Sequence, residues 1–305
     1  MVRNLSNNKI PVILDTDIGM DIDDTWALGF LLKCPEFDVK LITTSTDDTT
    51  IKAKLVAKFL EDAGRTDIPI GIGPSEGRRK GNLYSWIKDY EFSEYSGTVH
   101  ENGMEILCST IMESPEPITL IAIGPLRTVA GALKINPDIT ENARFVGMHG
   151  SIRIGYKGIP YPYPEYNVKH DIQSCREVFH APWEKTITPL DTCGNIVLSG
   201  DNFERIMNCD NTIVKIIKEN FEIWAEKNRV TEMITKDKRT STLFDTVAIY
   251  LGFTEQLLNI EDLKIAVTEN GITKISEEGD NIRCATSWKD IQAFKDLLVN
   301  RLVKS

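Results

Sequence analysis

Short apolar runs alternate along the chain with longer segments in which apolar residues recur every three to four positions. The short runs predict buried β-strands and the longer segments predict amphipathic helices. Predicted strands cover residues 10–15, 38–45, 68–72, 118–123, 143–148, 263–268 and 281–285. Predicted helices cover residues 24–33, 50–63, 101–113, 126–134, 171–180, 199–208, 211–228, 242–252 and 288–302. Because strands that alternate with helices pair in parallel, we expect an α/β fold with one open, mostly parallel, Rossmann-like sheet flanked by helices.

The bulk properties narrow the class of protein. The chain has 305 residues, 41% of them hydrophobic, without a linker-like change in composition, so we expect a single domain over residues 1–305. The net charge of −10 argues against a nucleic-acid or anionic-membrane binder. No segment resembles a membrane span or a signal peptide. Six widely spaced cysteines favour reduced thiols and a cytoplasmic location.

Five aspartates lie within ten residues at the end of the first predicted strand. They are Asp15, Asp17, Asp21, Asp23 and Asp24. Carboxylates this close repel one another, so they either shift their pKa values or hold a cation. In open α/β sheets, ligands collect at the C-terminal ends of the strands. The pattern predicts a Ca²⁺ or Mg²⁺ site there, since helix capping explains only Asp23 or Asp24.

Later segments carry further polar groups. Glu165 and Asn167 flank an aromatic residue and share one face if the segment is extended, which suits sugar hydroxyls. Asp245 precedes an apolar helix and, taken alone, is a simple N-cap. The loop of residues 151–164 is rich in Gly, Pro and Tyr. It is equally consistent with part of a binding mouth and with a plain surface loop.

Together these segments resemble one family, the nucleoside hydrolases, which cleave the N-glycosidic bond of ribonucleosides. The resemblance runs from Ile10 to at least Tyr250, and the ordered set of motifs is more specific than any single one. The motifs are Asp15-Thr16-Asp17-Ile18-Gly19 with Asp23-Asp24, Thr43-Thr44 before Asp47-Asp48, Ala63-Gly64-Arg65, Gly124-Pro125-Leu126, Met148-His149-Gly150, Glu165-Tyr166-Asn167 and Phe244-Asp245. The first motif contains a two-residue insertion near Asp21, which makes it a longer variant of the family signature.

The resemblance implies one Ca²⁺ per subunit at the bottom of the pocket. Asp17, Asp24 and Asp245 would be its carboxylate ligands. The backbone carbonyl of Arg127 would add another ligand, and the ribose hydroxyls and a water would complete the shell. Asp15 would brace the site from behind.

The same resemblance assigns the contacts with the sugar. Asp23 and Asn167 would bind the 2′- and 3′-hydroxyls, and Glu165 the 5′ side. Asp48 stands where many members have an asparagine and would also face the substrate. Whether Asp21 or Asp23 contacts the ribose depends on where the insertion loops out, and we choose Asp23.

The implied reaction is hydrolysis of a purine or pyrimidine ribonucleoside to free base and ribose. Glycosidic cleavage passes through an oxocarbenium-like transition state, which nearby carboxylates stabilise. A Ca²⁺-bound water loses its proton more easily than bulk water. Asp17, beside that water, would be the general base.

The end of the site that would hold the nucleobase departs from the family pattern. Many members have a histidine as general acid where this chain has Phe244, which cannot donate a proton. Phe244 can stack on a base, worth about 0.5–1.5 kcal/mol beyond burial, or simply pack in the core. His149 is the best placed of the four histidines for a substrate contact. Trp224 lies where relatives close over the base, in an apolar helical stripe that is typical of a core.

Two other functions stay open at this stage. An apolar strand followed by Asp-x-Asp also begins haloacid-dehalogenase-type phosphatases, although Gly19 stands where those enzymes have Thr or Val. The second alternative is a non-catalytic protein of the same fold that binds nucleoside or ribose. It stays open because Phe244 stands where many members have the general-acid histidine. As in relatives, we expect a homodimer or homotetramer.

Overall fold

The computed structural model describes residues 9–77 and 79–304, and the ten strands within these ranges form one sheet. The strands are β1 (Ile10–Thr16), β2 (Phe37–Thr44), β3 (Ile70–Gly71), β4 (Val99–His100), β5 (Ile118–Ala122), β6 (Ala143–Met148), β7 (Lys185–Thr188), β8 (Leu258–Val267), β9 (Thr273–Ile275) and β10 (Asp280–Trp288). Their order across the sheet is β4-β3-β2-β1-β5-β6-β7-β10-β8-β9.

Helices connect most of these strands. The α-helices are α1 (Asp23–Lys33), α2 (Thr49–Asp62), α3 (Gly103–Met112), α4 (Arg127–Ile135), α5 (Tyr166–His170), α6 (Ile172–His180), α7 (Leu190–Cys193), α8 (Gly200–Met207), α9 (Thr212–Lys227), α10 (Thr231–Thr235), α11 (Thr246–Leu251) and α12 (Ile291–Val303). Short 3₁₀ segments lie at Asn82–Ile87, Phe92–Glu94, Pro137–Glu141 and Tyr156–Gly158.

The sheet is parallel from β4 to β10, and β8 and β9 extend it antiparallel at one edge. β1 lies near the middle, between β2 and β5. Its residues alternate between two hydrophobic cores, with Val12 and Leu14 in one and Ile13 in the other. Helices therefore cover both faces of the sheet, as parallel sheets require. This confirms the predicted fold class.

Several predicted elements need correction. The segment at Glu165 and Asn167 begins α5, so the condition of an extended segment, under which the two side chains would share one face, is not met. β7 was not predicted, since its sequence Lys-Thr-Ile-Thr has no apolar run. β8 and β10 are longer than predicted because they pair with each other over most of their length. The predicted strand of residues 68–72 shortens to β3.

Two further expectations can be compared with the structure. All six cysteines are free thiols, and five are buried. None of the helices in the described ranges is long and apolar enough to cross a lipid bilayer.

Candidate active site

The candidate site lies at the C-terminal ends of the central parallel strands. β1 ends at Thr16, and the turn that follows carries Asp17 into α1, which starts at Asp23. β5 lies beside β1 and β6 beside β5, all three parallel, so the turns after β5 and β6 reach the same edge of the sheet as the turn after β1. The candidate residues therefore lie at the C-terminal ends of the strands, where open α/β sheets collect their ligands, and a binding site there stays a prediction.

Three buried carboxylates form the centre of the site. Asp23, Asp24 and Asp245 each offer an oxygen, and these oxygens lie within 4.8 Å of one another. We call these three residues the carboxylate cluster. Asp245 stands at the N-cap position of α11, but its side chain makes no capping hydrogen bond. Its carboxylate lies beside those of Asp23 and Asp24 instead. Capping alone, the simple interpretation of Asp245, therefore does not describe it.

The electrostatics of the carboxylate cluster are unfavourable in the protein alone. Burial raises the pKa of Asp23, Asp24 and Asp245 well above the ordinary value, and the neighbouring carboxylates raise each pKa further. Three such groups cannot all be ionised at neutral pH without a compensating cation. The donors are all carboxylate oxygens, which are the ligands that Ca²⁺ and Mg²⁺ prefer. The residues present therefore fit a hard divalent cation.

Asp17 lies beside the carboxylate cluster but outside the group whose oxygens fall within 4.8 Å. Burial raises its pKa, which the ammonium group of Lys52 partly opposes. Gly124 makes room for the carboxylate, because a Cβ there would lie 2.8 Å from Asp17 Oδ1. A small residue is thus required in the β5–α4 turn. The structure places Asp23, rather than Asp17, in the tight group with Asp24 and Asp245.

Lys52 is a site residue that the sequence interpretation missed. It lies on α2, is 4% exposed, and its Nζ donates to the backbone carbonyl of Asp17 and, at 3.4 Å, to that of Ile18. A buried lysine is rare unless it is paired. Lys52 precedes Leu55 by three residues and Val56 by four, which places it on the apolar side of the helix. This position was the signal in the sequence.

Two threonines hold the aspartates from behind. Thr43 Oγ1 donates to Asp15 Oδ1 at 2.6 Å, and Thr16 Oγ1 donates to Asp24 Oδ1 at 2.5 Å. Asp15 is fully buried, and burial raises its pKa to about 7. These contacts agree with a bracing position for Asp15. Asp21, in contrast, is exposed and accepts only from the N–H of Ile22 among the hydrogen bonds recorded for it.

Glu165 and Asn167 reach the site through the start of α5. Glu165 caps this helix: its carboxylate accepts from the N–H groups of Gly150, Asn167 and Val168 at 3.0, 2.8 and 3.2 Å. Burial raises the pKa of Glu165 to about 7, although these three hydrogen bonds lower it. The amide of Asn167 donates to the carbonyls that follow β5 and end β6, at 3.0 Å each. Both residues are buried in fixed orientations.

Asp48 and Arg127 have structural partners that the sequence did not reveal. Asp48 is the N-cap of α2, and its Oδ1 accepts from Ile51 N at 3.1 Å. Arg127 begins α4 at the same edge of the sheet, and its guanidinium pairs with Glu76 and with Asp171. Contact of Asp48 with substrate and of the Arg127 carbonyl with a cation both stay predictions.

His149 and Trp224 are packed in the interior. His149 is fully buried between Phe145 and Phe179, its Nε2 donates to the Gly124 carbonyl at 3.1 Å, and burial lowers its pKa to about 4. Trp224 is 9% exposed and stacks on Phe221. Core packing accounts for Trp224, whereas Nδ1 of His149 is buried without a hydrogen-bond partner among the described residues. Contact of either residue with substrate stays a prediction.

Aromatic rings lie at the edge of the carboxylate cluster. Phe244 directly precedes Asp245, and Tyr156 packs edge-on against it with ring centroids 6.0 Å apart. Tyr163 packs edge-on against Tyr156 at 5.9 Å. We call Phe244, Tyr156 and Tyr163 the aromatic wall. The two tyrosines come from the Gly-, Pro- and Tyr-rich loop of residues 151–164, which therefore packs against Phe244. That this loop belongs to the binding site stays a prediction.

Comparison with known proteins identifies the class of protein. The family model of inosine-uridine preferring nucleoside hydrolases matches residues 12–296. The chain therefore belongs to this nucleoside hydrolase family. The assignment removes the support for a haloacid-dehalogenase-type phosphatase.

Individual relatives agree with the family. The non-specific ribonucleoside hydrolase RihC of Klebsiella pneumoniae is 31% identical over 207 residues, which cover 63% of this chain and 65% of that protein. The pyrimidine-specific ribonucleoside hydrolase RihA of Citrobacter koseri is 27% identical, with 72% of each chain covered. The matched region thus spans slightly less than two thirds of the RihC relative. A plant nucleoside hydrolase structure shares the fold, with a TM-score of 0.81, 21% identity, and coverage of 98% of this chain and 100% of that one.

Proposed function

We propose that this protein hydrolyses the N-glycosidic bond of ribonucleosides and releases the free base and ribose. The observation that carries the proposal is the carboxylate cluster, which is buried at the C-terminal edge of the sheet in a chain of this family. The names of the relatives support it, since both RihC and RihA are ribonucleoside hydrolases.

The cation of this proposal is Ca²⁺. We assign Asp24 and Asp245 as its ligands, with Asp17 and the Arg127 carbonyl as predicted from the family resemblance. Asp23 completes the carboxylate shell, because its oxygen lies in the tight group, and it also faces the ribose hydroxyls. When bound, a divalent cation makes a nearby water easier to deprotonate and orients the sugar.

The side chains of the protein perform the remaining steps. Asp17 takes a proton from the attacking water as general base. The surrounding carboxylates stabilise the positive charge that develops on the ribose as the bond to the base breaks. The amide nitrogen of Asn167 is bound to two backbone carbonyls, which leaves its oxygen to accept from a ribose hydroxyl. Glu165 anchors this segment and would face the 5′ side.

The test is release of ribose from a panel of purine and pyrimidine ribonucleosides, measured as reducing sugar with Ca²⁺ or with excess EDTA. We expect turnover that needs Ca²⁺ and is lost in Asp17→Asn. Asp201→Asn is the matched control, because Asp201 is an exposed aspartate on α8 and is not among the candidate site residues. Binding of nucleoside in calorimetry without any ribose release would instead identify a non-catalytic binding protein.

A cytoplasmic location and a homodimeric or homotetrameric state complete the proposal. The free thiols of all six cysteines support a reducing compartment.

Light scattering coupled to gel filtration would measure the oligomeric state. A purely monomeric protein would contradict the proposed homodimer or homotetramer.

A further inference from the structure

Tyr156 contacts two parts of the candidate site, one through its hydroxyl and the other through its ring. Tyr156 Oη accepts from the backbone N–H of Tyr166 at 2.9 Å, and Tyr166 stands between Glu165 and Asn167. The ring of Tyr156 packs edge-on against Phe244, which directly precedes Asp245 of the carboxylate cluster. The phenol therefore joins the segment proposed to hold the sugar to the residue proposed to face the base.

The proton of this hydroxyl is free to point toward a ligand. Among the described residues, the hydrogen bond recorded for Tyr156 Oη is the one that it accepts. The side chain is half-buried, so it is not simply a solvated surface tyrosine. Burial, together with the nearby carboxylate of Glu165, raises the pKa of the Tyr156 phenol. The group therefore stays neutral and keeps its proton across the physiological range of pH.

The loop that carries Tyr156 is held rigidly. The buried carboxylate of Asp191 accepts from the N–H groups of Ile152, Arg153 and Ile154 at 2.8, 2.8 and 3.2 Å. The hydroxyl of Ser151 accepts from the N–H of Tyr163 and donates to the Ile154 carbonyl. A hydrogen-bond donor that is fixed before the reaction stabilises developing charge better than a mobile one.

We propose that Tyr156 is a catalytic residue whose O–H donates a hydrogen bond to the leaving nucleobase. The inference rests on the proposed hydrolysis of nucleosides. As the C–N glycosidic bond breaks, its electron pair passes to the base, and the Tyr156 O–H stabilises the negative charge that accumulates there. The attacking water gives its oxygen to the anomeric carbon and one proton to Asp17. The base takes its proton from solvent, and Asp17 later returns its own proton to solvent.

The test compares two leaving groups in Tyr156→Phe. A ribonucleoside such as inosine needs stabilisation of its leaving base, whereas the 4-nitrophenolate of 4-nitrophenyl β-D-ribofuranoside leaves without help. We expect kcat for inosine to fall about 10- to 100-fold, as for loss of one hydrogen bond to a charged group. We expect kcat for the nitrophenyl riboside to change less than about twofold. Tyr161→Phe, which removes an exposed hydroxyl from the same loop, is the matched control and should match the wild type on both substrates.

A double variant separates catalysis from structure. A histidine at position 244 would place an N–H beside the ring of Tyr156, so Tyr156→Phe/Phe244→His should regain at least part of the lost activity on inosine. An equal loss on both substrates would overturn the proposal, because it would mean that the bond to Tyr166 N only holds α5 in place. Unchanged activity on inosine would overturn it as well. Failure of the proposed function looks different, since the wild type would then release no ribose from either substrate.

Discussion

The two ends of the candidate site are built in opposite ways. The carboxylate cluster gathers buried acids whose pKa values are raised by burial and by mutual repulsion. The aromatic wall consists of half-buried or exposed rings that pack edge-on without electrostatic conflict. The carboxylate cluster therefore lowers the stability of the fold, whereas the aromatic wall does not. Variants of the cluster should separate activity from stability, and variants of the wall should lower both together.

The largest separation is expected for Asp245→Asn. Loss of one carboxylate should lower ribose release roughly 10³-fold, the scale of removing a main electrostatic group from a site. In EDTA, the same variant should melt a few degrees higher than the wild type, because one buried like charge is gone. Steady-state kinetics and differential scanning calorimetry measure the two effects. A variant that lost stability along with activity would show that the cluster is not under electrostatic strain.

A second prediction concerns Asp15 and pH. The folded protein keeps this proton up to about pH 7, whereas the unfolded carboxyl loses it near 3.8. The free energy of unfolding therefore falls as pH rises through this window, by roughly 4 kcal/mol at most. Asp15→Asn has no proton to lose and keeps an oxygen for Thr43. In EDTA, its advantage in unfolding free energy over the wild type should grow from pH 4 to pH 7, and parallel curves would contradict the prediction.

Removal of the cation should have a somewhat smaller effect. Ca²⁺ at one hundred times its dissociation constant adds about 2.7 kcal/mol to the folded state if it binds only there. The melting temperature should therefore rise with Ca²⁺ concentration and fall on addition of EDTA. Asp24→Asn provides the comparison, because its melting temperature should respond much less to Ca²⁺. An identical response in both proteins would place the cation elsewhere.

The smallest of these effects is expected at Phe244 in the aromatic wall. Phe244→Leu removes a ring worth about 0.5–1.5 kcal/mol in stacking, so KM for nucleosides should rise about 2- to 12-fold. A small loss in melting temperature should accompany it, in the same direction as the loss in binding. Phe253→Leu is the control, because Phe253 packs against Phe30, Phe37 and Tyr250. It should lower stability and leave KM unchanged.

The sequence predicted the parts of the molecule that depend on local pattern. β1, β5 and β6 were found within one residue, because each is a buried apolar run. The helix at Glu165 was not predicted, since the side chain of Glu165 caps a short helix that has no apolar periodicity of its own. Lys52 looked like an ordinary helical lysine, and its burial beside Asp17 depends on how α2 packs on the sheet.

The family resemblance supplied what local pattern could not. No spacing rule relates Asp245 to the aspartates near the N-terminus, yet the structure joins it to Asp23 and Asp24. The structure also separates the exposed Asp21 from the buried Asp23. It adds Tyr156, whose position depends on the bonds that Asp191 makes to the loop.

The carboxylate cluster also has a consequence for unfolding. Asp24 belongs to the first helix and Asp245 to the last quarter of the chain, so a cation held between them fastens two segments that are distant in sequence. To unfold, the protein would first have to release the ion or carry it through the barrier. The bound cation would then also act as a cross-link that slows unfolding, which prolongs the lifetime of the folded chain against proteolysis and heat.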